Sequence, residues 1–388
     1  MKRSVRISAA AIIAFIFLII SYWVTNLSFP ISGEKALLTE WEFMLHKVWP
    51  KDTEMTDSVL LVNVSFDKEL IPAYDDKDMP LGMKEITNRR KLLTLLNHLK
   101  EQDKYKYILL DVLFDNTVKT KYDSLLFNTI AAMPRIVIPC HTDIQLADSI
   151  LMAKAAMADY RTTHSESDFV RYAYLPDGRK SIPVRMYEDL TGRSIVKHGI
   201  IFSDGLRLAR SSMVLTFDLI ANDWYDQKGN RIWYNLGADL LNDSIVETGE
   251  SGSGLLYEVP ELTNGKYIII GAFQGDDTHN TFMGDMAGVV INFNAFTSLV
   301  KGRHIVSLWL VLILFVSFFI MAYLALGRKS LPSWLSYTMF MTVLCFITYW
   351  LLGEVYDILF TATMFWLLGY ALKLYDYLKI HSIWRKRK

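Results

Sequence analysis

Acidic and imidazole side chains follow the apolar runs of this 388-residue chain. Asp67 comes after Val59-Leu-Leu-Val-Asn-Val-Ser, Asp115 after Tyr105-Lys-Tyr-Ile-Leu-Leu-Asp-Val-Leu-Phe, and His141 closes Arg135-Ile-Val-Ile-Pro-Cys-His. Asp276, Asp277 and His279 follow Tyr267-Ile-Ile-Ile-Gly. If those runs are strands of an open parallel sheet, all six residues stand at its carboxyl edge, where such sheets bind ligands. They are the candidate ligand-binding residues. The plainer reading is that polar residues mark the places where strands leave a core.

Three carboxylates and one imidazole, Asp276, Asp277, His279 and Asp285, have the chemistry of a divalent-cation site, but their spacing matches no zinc or EF-hand pattern. Hydrolase motifs are missing: there is no Gly-x-Ser-x-Gly elbow, no His-Glu-x-x-His and no phosphate-cradling glycine loop. Gly327-Arg-Lys-Ser lacks the upstream glycine of a P-loop. The lone histidines His98 and His198 read as ordinary surface or core residues. The sequence therefore predicts no catalytic residue, no cofactor and no enzyme.

The elements that would position these residues alternate. After the strand over 59–65, leucines 92, 95, 96 and 99 put one apolar face on a helix from Thr87 to Gln102. The run 105–114 is a second strand, 122–133 a helix and 135–141 a third strand. That alternation predicts crossovers and a mostly parallel or mixed sheet with flanking helices. Further on, Phe169 to Leu175 and Val196 to Ser203 read as strands, Ser211 to Ala221 as a helix, and the polar stretch Asn222 to Gly254 as a loop. Tyr267 returns the chain to the sheet. After Gly288, Val289, Phe293, Phe296 and Val300 recur at helical spacing up to a stop at Gly302-Arg303.

Hydrophobic residues make up 52% of the chain, and part of that share belongs in lipid. Uncharged apolar runs cover 7–25, 305–326, 331–352 and 358–372. The first lacks a small-x-small cleavage site and reads as an uncleaved anchor. The last is short enough that a re-entrant hairpin competes with a full span. Lys2, Arg3 and Arg6, then Arg328 and Lys329, then Lys386 to Lys388 sit on one side of these runs, which places both termini in the cytoplasm. The organisation is then 1–25 as N-terminus and first span, 26–303 as an extracytoplasmic α/β domain, 304–375 as three spans, and 376–388 as a basic tail. A further helix, Ser32 to Val48, would lie beside the membrane.

Formal net charge is zero, yet the termini and membrane segment are basic while 26–303 holds an acidic surplus. An acidic head gives no support to nucleic acid as a ligand. Cys140 lies in the head and Cys345 in the third span, so the head has no internal disulfide and depends on an ordinary core. The spans carry no charged residue in their interiors, which argues against transport.

The head resembles the CHASE sensory domain of the second type. The likeness lies in Val59 to Ser65, Ile86-Thr-Asn-Arg-Arg-Lys-Leu-Leu, Tyr107-Ile-Leu-Leu-Asp-Val-Leu-Phe, Asp204-Gly-Leu-Arg, Gly265-Lys-Tyr-Ile-Ile-Ile-Gly, Asp277-Thr and Gly288-Val-Val-Ile. The one-plus-three order of spans matches as well. Departures are Asn63 and Ser65, where the family often has an acidic residue, and Thr278-His279 in place of Thr-Pro. Members commonly run on into a kinase or cyclase, whereas about 15 residues follow the last apolar run here. The resemblance implies a membrane receptor that binds a small ligand or envelope partner and signals through its spans to a separate membrane or cytoplasmic effector, with self-association a further option. A fixed structural subunit of an envelope complex and a metal-assisted extracytoplasmic hydrolase are the alternatives.

Overall fold

A computed structural model describes residues 3–26, 56–75, 79–159, 171–214, 218–219, 224–242, 254–275, 277–281 and 284–327, with isolated positions 41, 77, 339, 343, 367, 369 and 371. The expected helix at 32–48 and the apolar runs 331–352 and 358–372 fall outside the described residues, apart from those isolated positions. The chain divides into two compact units.

The first unit spans 42–194 and 213–302. In it lie β1 (Val59–Asn63), β2 (Lys68–Tyr74), β3 (Pro80–Thr87), β4 (Tyr107–Leu110), β5 (Ile136–Cys140), β6 (Ala155–Met157) and β7 (Arg171–Ala173). The strands β8 (Ile195–His198), β9 (Ile201–Asp204) and β10 (Arg207–Ala209) belong to the second unit, and β11 (Ser212–Val214) lies at the boundary. β12 (Trp233–Asn235), β13 (Tyr267–Gly271), β14 (Thr278–Thr281) and β15 (Gly284–Ala287) return to the first unit.

Six strands form a fully parallel sheet in the order β12-β1-β13-β4-β5-β6. β1 and β4 are buried at every position, which is why they read as continuous apolar runs instead of alternating ones. Leu60, Val62, Ile108, Leu110, Ile268 and Ile270 share one core with Leu92, Leu95, Leu96 and Leu99 of helix α2 (Arg89–Gln102) and Leu126 and Ile130 of helix α3 (Asp123–Ala132). α2 starts two residues later than its periodicity suggests, because Asn88 is the N-cap and its side chain accepts from the Lys91 amide.

Helices α4 (Ile182–Thr191) and α5 (Gly288–Val300) pack together, and α5 lies against β13. The Tyr267 ring meets Phe293 and Phe296 edge-on at 5.6 and 5.4 Å. Such aromatic pairs add ~0.5–1.5 kcal/mol beyond their buried area. α5 is buried along its length up to Leu299, so it is a core element and not a surface linker.

Several expectations are corrected. The stretch 222–254 is not a plain loop: β12 is the sheet edge beside β1, and a buried π-helical turn follows at Leu236–Leu241. Three apolar residues among Asn, Asp and Gly gave too short a pattern to register. The run Val196 to Ser203 is a hairpin, because Gly199 takes a φ of +62° and turns the chain. Ser212–Val214 is a strand, so the helix expected from Ser211 does not begin there. β4 ends at Leu110, not near Asp115, which moves the sheet's exit four residues back.

The second unit spans 1–41, 195–212 and 303–388. Helix α1 (Arg3–Thr25) packs along helix α6 (Leu308–Leu326), and both are long and apolar enough to cross a membrane. Ala10 and Ala14, one turn apart, are fully buried, as small residues between close helices should be. Arg6 donates from Nε and Nη2 to the Tyr323 carbonyl at 3.0 and 2.7 Å, with its guanidinium 3.7 Å from the Tyr323 ring centroid. The antiparallel sheet β8-β9-β10 completes this unit.

Candidate functional site

The carboxyl edge of the sheet does not gather all of the candidate residues. Asp67 is buried, and its carboxylate accepts from Lys91 Nζ at 2.8 Å and from the Gly237 amide at 3.0 Å. It ties α2 to the turn at 236–241 and is structural. Asp115 pairs with Lys84 and accepts from Thr117, which joins the β2-β3 hairpin to the loop beyond β4. Burial works against its ionisation, but the hydrogen bonds from Lys84 and Thr117 outweigh that and hold its carboxyl below the usual range. Neither residue is left with a free face for a ligand.

His141 does lie near the crevice. Its Nδ1 stands 2.7 Å from Asp159 Oδ1, and Asp159 also accepts from the Thr142 amide at 2.7 Å. That pairing fixes the ring. Asp277 follows β13, with His279 Nε2 3.3 Å from its Oδ1. Asp276 lies outside the described residues. Among the described residues no group of three His, Cys, Asp or Glu side chains could hold a metal ion, so Asp277, His279 and Asp285 do not assemble into one.

Close approach at this edge depends on two glycines. A Cβ on Gly288 would stand 3.0 Å from Asp277 Oδ1, 3.3 Å from its Oδ2 and 3.3 Å from His279 Nε2. A Cβ on Gly271 would meet the Val289 side chain at 3.0 Å. With hydrogens in those places, the first turn of α5 closes onto the end of β13 and the Asp277 carboxylate lies over the start of the helix. The Gly288 amide donates to the Asp277 carbonyl at 3.0 Å, which fixes the loop.

A second carboxyl, Asp111, stands directly after β4, within reach of the Asp277 charge. Its residue keeps a partial opening to solvent while atoms crowd round the carboxyl. Burial, then the nearby Asp277 charge, pushes its pKa up to about 7, against a hydrogen bond from the Asn292 side chain. Burial lifts Asp277 to about 6, although the charges of His141 and Lys68 pull the other way. Tyr172 Oη donates to Asn292 Oδ1 at 2.6 Å, so Asn292 is held between Tyr172 and Asp111. The Tyr172 hydroxyl is raised by burial and then by the Asp111 charge, and it remains a donor at any physiological pH.

The observed site is therefore Asp111, Asp277, His279, Asn292 and Tyr172, with His141 and Lys68 acting on it electrostatically. Asp111, Asn292 and Tyr172 were missed by sequence reasoning. One signal was available: Gly288 and Asn292 are four apart, hence on one face of a mostly apolar helix. Two carboxyls that resist ionisation, backed by fixed hydrogen-bond donors and acceptors, can hold a proton or bind a cationic, donor-rich group.

The structure is a parallel α/β head with polar side chains gathered at its carboxyl edge, followed in the chain by an apolar helix of membrane-crossing length. A family model described as CHASE2 domain matches residues 26–326, and the chain belongs to that family. CHASE2 is a family of sensory extracellular domains, so the head is a sensory domain of that kind. The match extends through α6. No curated protein and no solved structure matches the chain.

Proposed function

We propose that this chain is a membrane-anchored, multi-pass receptor with both termini in the cytoplasm, which captures a small cationic ligand between Asp111 and Asp277. Capture changes the setting of α5 and, through the spans, the state of a separate membrane or cytoplasmic effector. The receptor turns over no substrate. The observation that carries this reading is the Asp277 carboxylate lying over the first turn of α5 at Gly288, with Asn292 of the same helix bonded to both Tyr172 and Asp111. Seven residues, 301–307, separate the end of that helix from α6.

A cation between two carboxyls gains from both, and its gain is largest when both are ionised. Protons therefore compete with it. A ligand moves the receptor between states only as far as its affinities for them differ, so the pair must open or close on binding. The test is a thermal-shift series on the full chain in nanodiscs with protonated amines, namely spermidine, cadaverine and lysine. At least one should stabilise the wild type at pH 8, with the shift reduced tenfold or more in apparent affinity by Asp277→Asn. No shift from any of the three would remove the cationic-ligand reading.

A further inference from the structure

The antiparallel sheet of the second unit is bonded to the end of α1 and to the segment that leads into α6. Tyr22 Oη donates to the Ala209 carbonyl at 2.8 Å and accepts from the Phe202 amide at 3.0 Å, while Asn26 Oδ1 accepts from the Ser211 amide at 2.6 Å. On the other side, Ala209 bridges Ile305, the Arg210 amide donates to the His304 carbonyl at 3.0 Å, and the Val306 amide donates to the Leu208 carbonyl at 2.9 Å. His304 Nε2 stands 3.0 Å from Asp204 Oδ2, with both side chains buried.

These bonds fix the direction of the sheet. Residues 209 to 211 advance alongside 22 to 26, so β10 runs parallel with the exit of α1. The segment 304–306 runs antiparallel to 210–208, toward the start of α6. Followed backward from Ala209, β10 descends three residues, about 10 Å at strand rise, to Leu206. That is the level of the first turn of α6.

Large apolar side chains are uncovered there. Leu206 is fully exposed at the tip of the turn, where Gly205 takes a φ of +61°, and Leu308 and Trp309 are exposed in the first turn of α6. Arg207, next to the tip, is exposed as well. A fully exposed leucine beside a cation, level with an exposed tryptophan at the entrance of an apolar helix, has the chemistry of the headgroup and acyl boundary. The Asp204 and Arg207 backbones pair across the turn, which limits the unpaired polar groups taken to that depth.

We infer that the turn 204–207 is a membrane-contact site, with Leu206 in the outer acyl boundary and Arg207 at the lipid phosphates. Ile200, at the opposite end of β9, is also exposed but stands on the side away from the bilayer. The sheet thus stands on the membrane at one turn and is pinned to the end of α1 and to the lead-in of α6, so a tilt of either helix moves it. This inference rests on α1 and α6 being membrane spans.

The test uses the full chain with Cys140 and Cys345 replaced by Ser, reconstituted in phosphatidylcholine and phosphatidylglycerol nanodiscs. Single cysteines at Leu206→Cys, Ile200→Cys and Phe15→Cys carry spin labels, and power saturation compares collisions with oxygen and with a polar nickel chelate. Phe15 is an exposed position of α1 and serves as the lipid reference. Oxygen should dominate at 15 and 206, by roughly threefold or more over the ratio at 200. Equal ratios at 206 and 200, with 15 in lipid, would overturn the contact while leaving the spans intact. A label at 206 shielded from both reagents would overturn it too, since protein would then cover the tip. An aqueous ratio at 15 would remove the spans and the contact together.

Discussion

Asp111→Asn should raise the thermal stability of the full chain at pH 8 and flatten its dependence on pH between 5 and 8. The sign follows from the raised pKa. A carboxyl whose folded pKa is about 7 holds its proton more tightly in the folded chain than in the unfolded one, where about 4 is usual. Its favourable contribution is complete below about pH 4 and is lost as pH rises through about 7. Asp277 adds a loss of the same sign that ends near pH 6. Three units correspond to ~4 kcal/mol at most, and the partial opening of Asp111 to solvent reduces this to about 2 kcal/mol. For a head of this size that is roughly 4–8 °C. Asp115 has the opposite sign, but its held-down carboxyl loses its contribution only in acid below the tested window. Differential scanning fluorimetry across pH is the check. Burial lowers the pKa values of His98 and His279, which tilts the profile the other way in the same window. The reading is therefore the difference between variant and wild type, and identical slopes from pH 5 to 8 would show that Asp111 is an ordinary solvated carboxyl.

Arg6→Ala should loosen the pairing of α1 with α6 by about 2–4 kcal/mol, the sum of charge-assisted hydrogen bonds and a cation-π contact. The guanidinium caps a carbonyl in the last turn of α6, where the helix dipole favours a cation. Gly327 makes the room, since a Cβ there would collide with the guanidinium. Gly327→Leu should therefore reproduce much of the loss with Arg6 still present. Arg6→Lys should fall between, because an ammonium keeps the charge and loses the fork and the stacking. The readout is the unfolding temperature in detergent. Wild-type stability in both Arg6→Ala and Gly327→Leu would mean that helix packing alone holds the pair.

Much of this architecture can be read from residues. Continuous burial makes β1, β4 and β13 plain apolar runs, and the leucines of α2 give its face. The apolar stretches at 7–25 and 305–326 correspond to helices of spanning length. The hairpin of β2 and β3 escaped because it is mostly exposed and has no apolar pattern to betray it. The site was half legible. Asp277, His279 and His141 fall where strand exits were expected. Asp67 and Asp115 fell to local ion pairs that spacing cannot foresee. Asp111 was hidden inside Tyr105 to Phe114, which reads as one long strand although the ladder stops at Leu110. The paired residues stop at Leu110 and Ile270, although the Asp111 amide still donates to the Ile270 carbonyl. Tyr172 and Asn292 are 120 positions apart and meet only in the folded chain.

The carboxyl pair as a cation receptor is most directly measured by titrating spermidine into the full chain in nanodiscs at pH 6.5, by calorimetry in two buffers of different ionisation enthalpy. Binding should release protons, because the amine draws both carboxyls into their charged forms, and release should fall in Asp111→Asn. Binding without proton release, or release unchanged in that variant, would contradict a site built on Asp111 and Asp277.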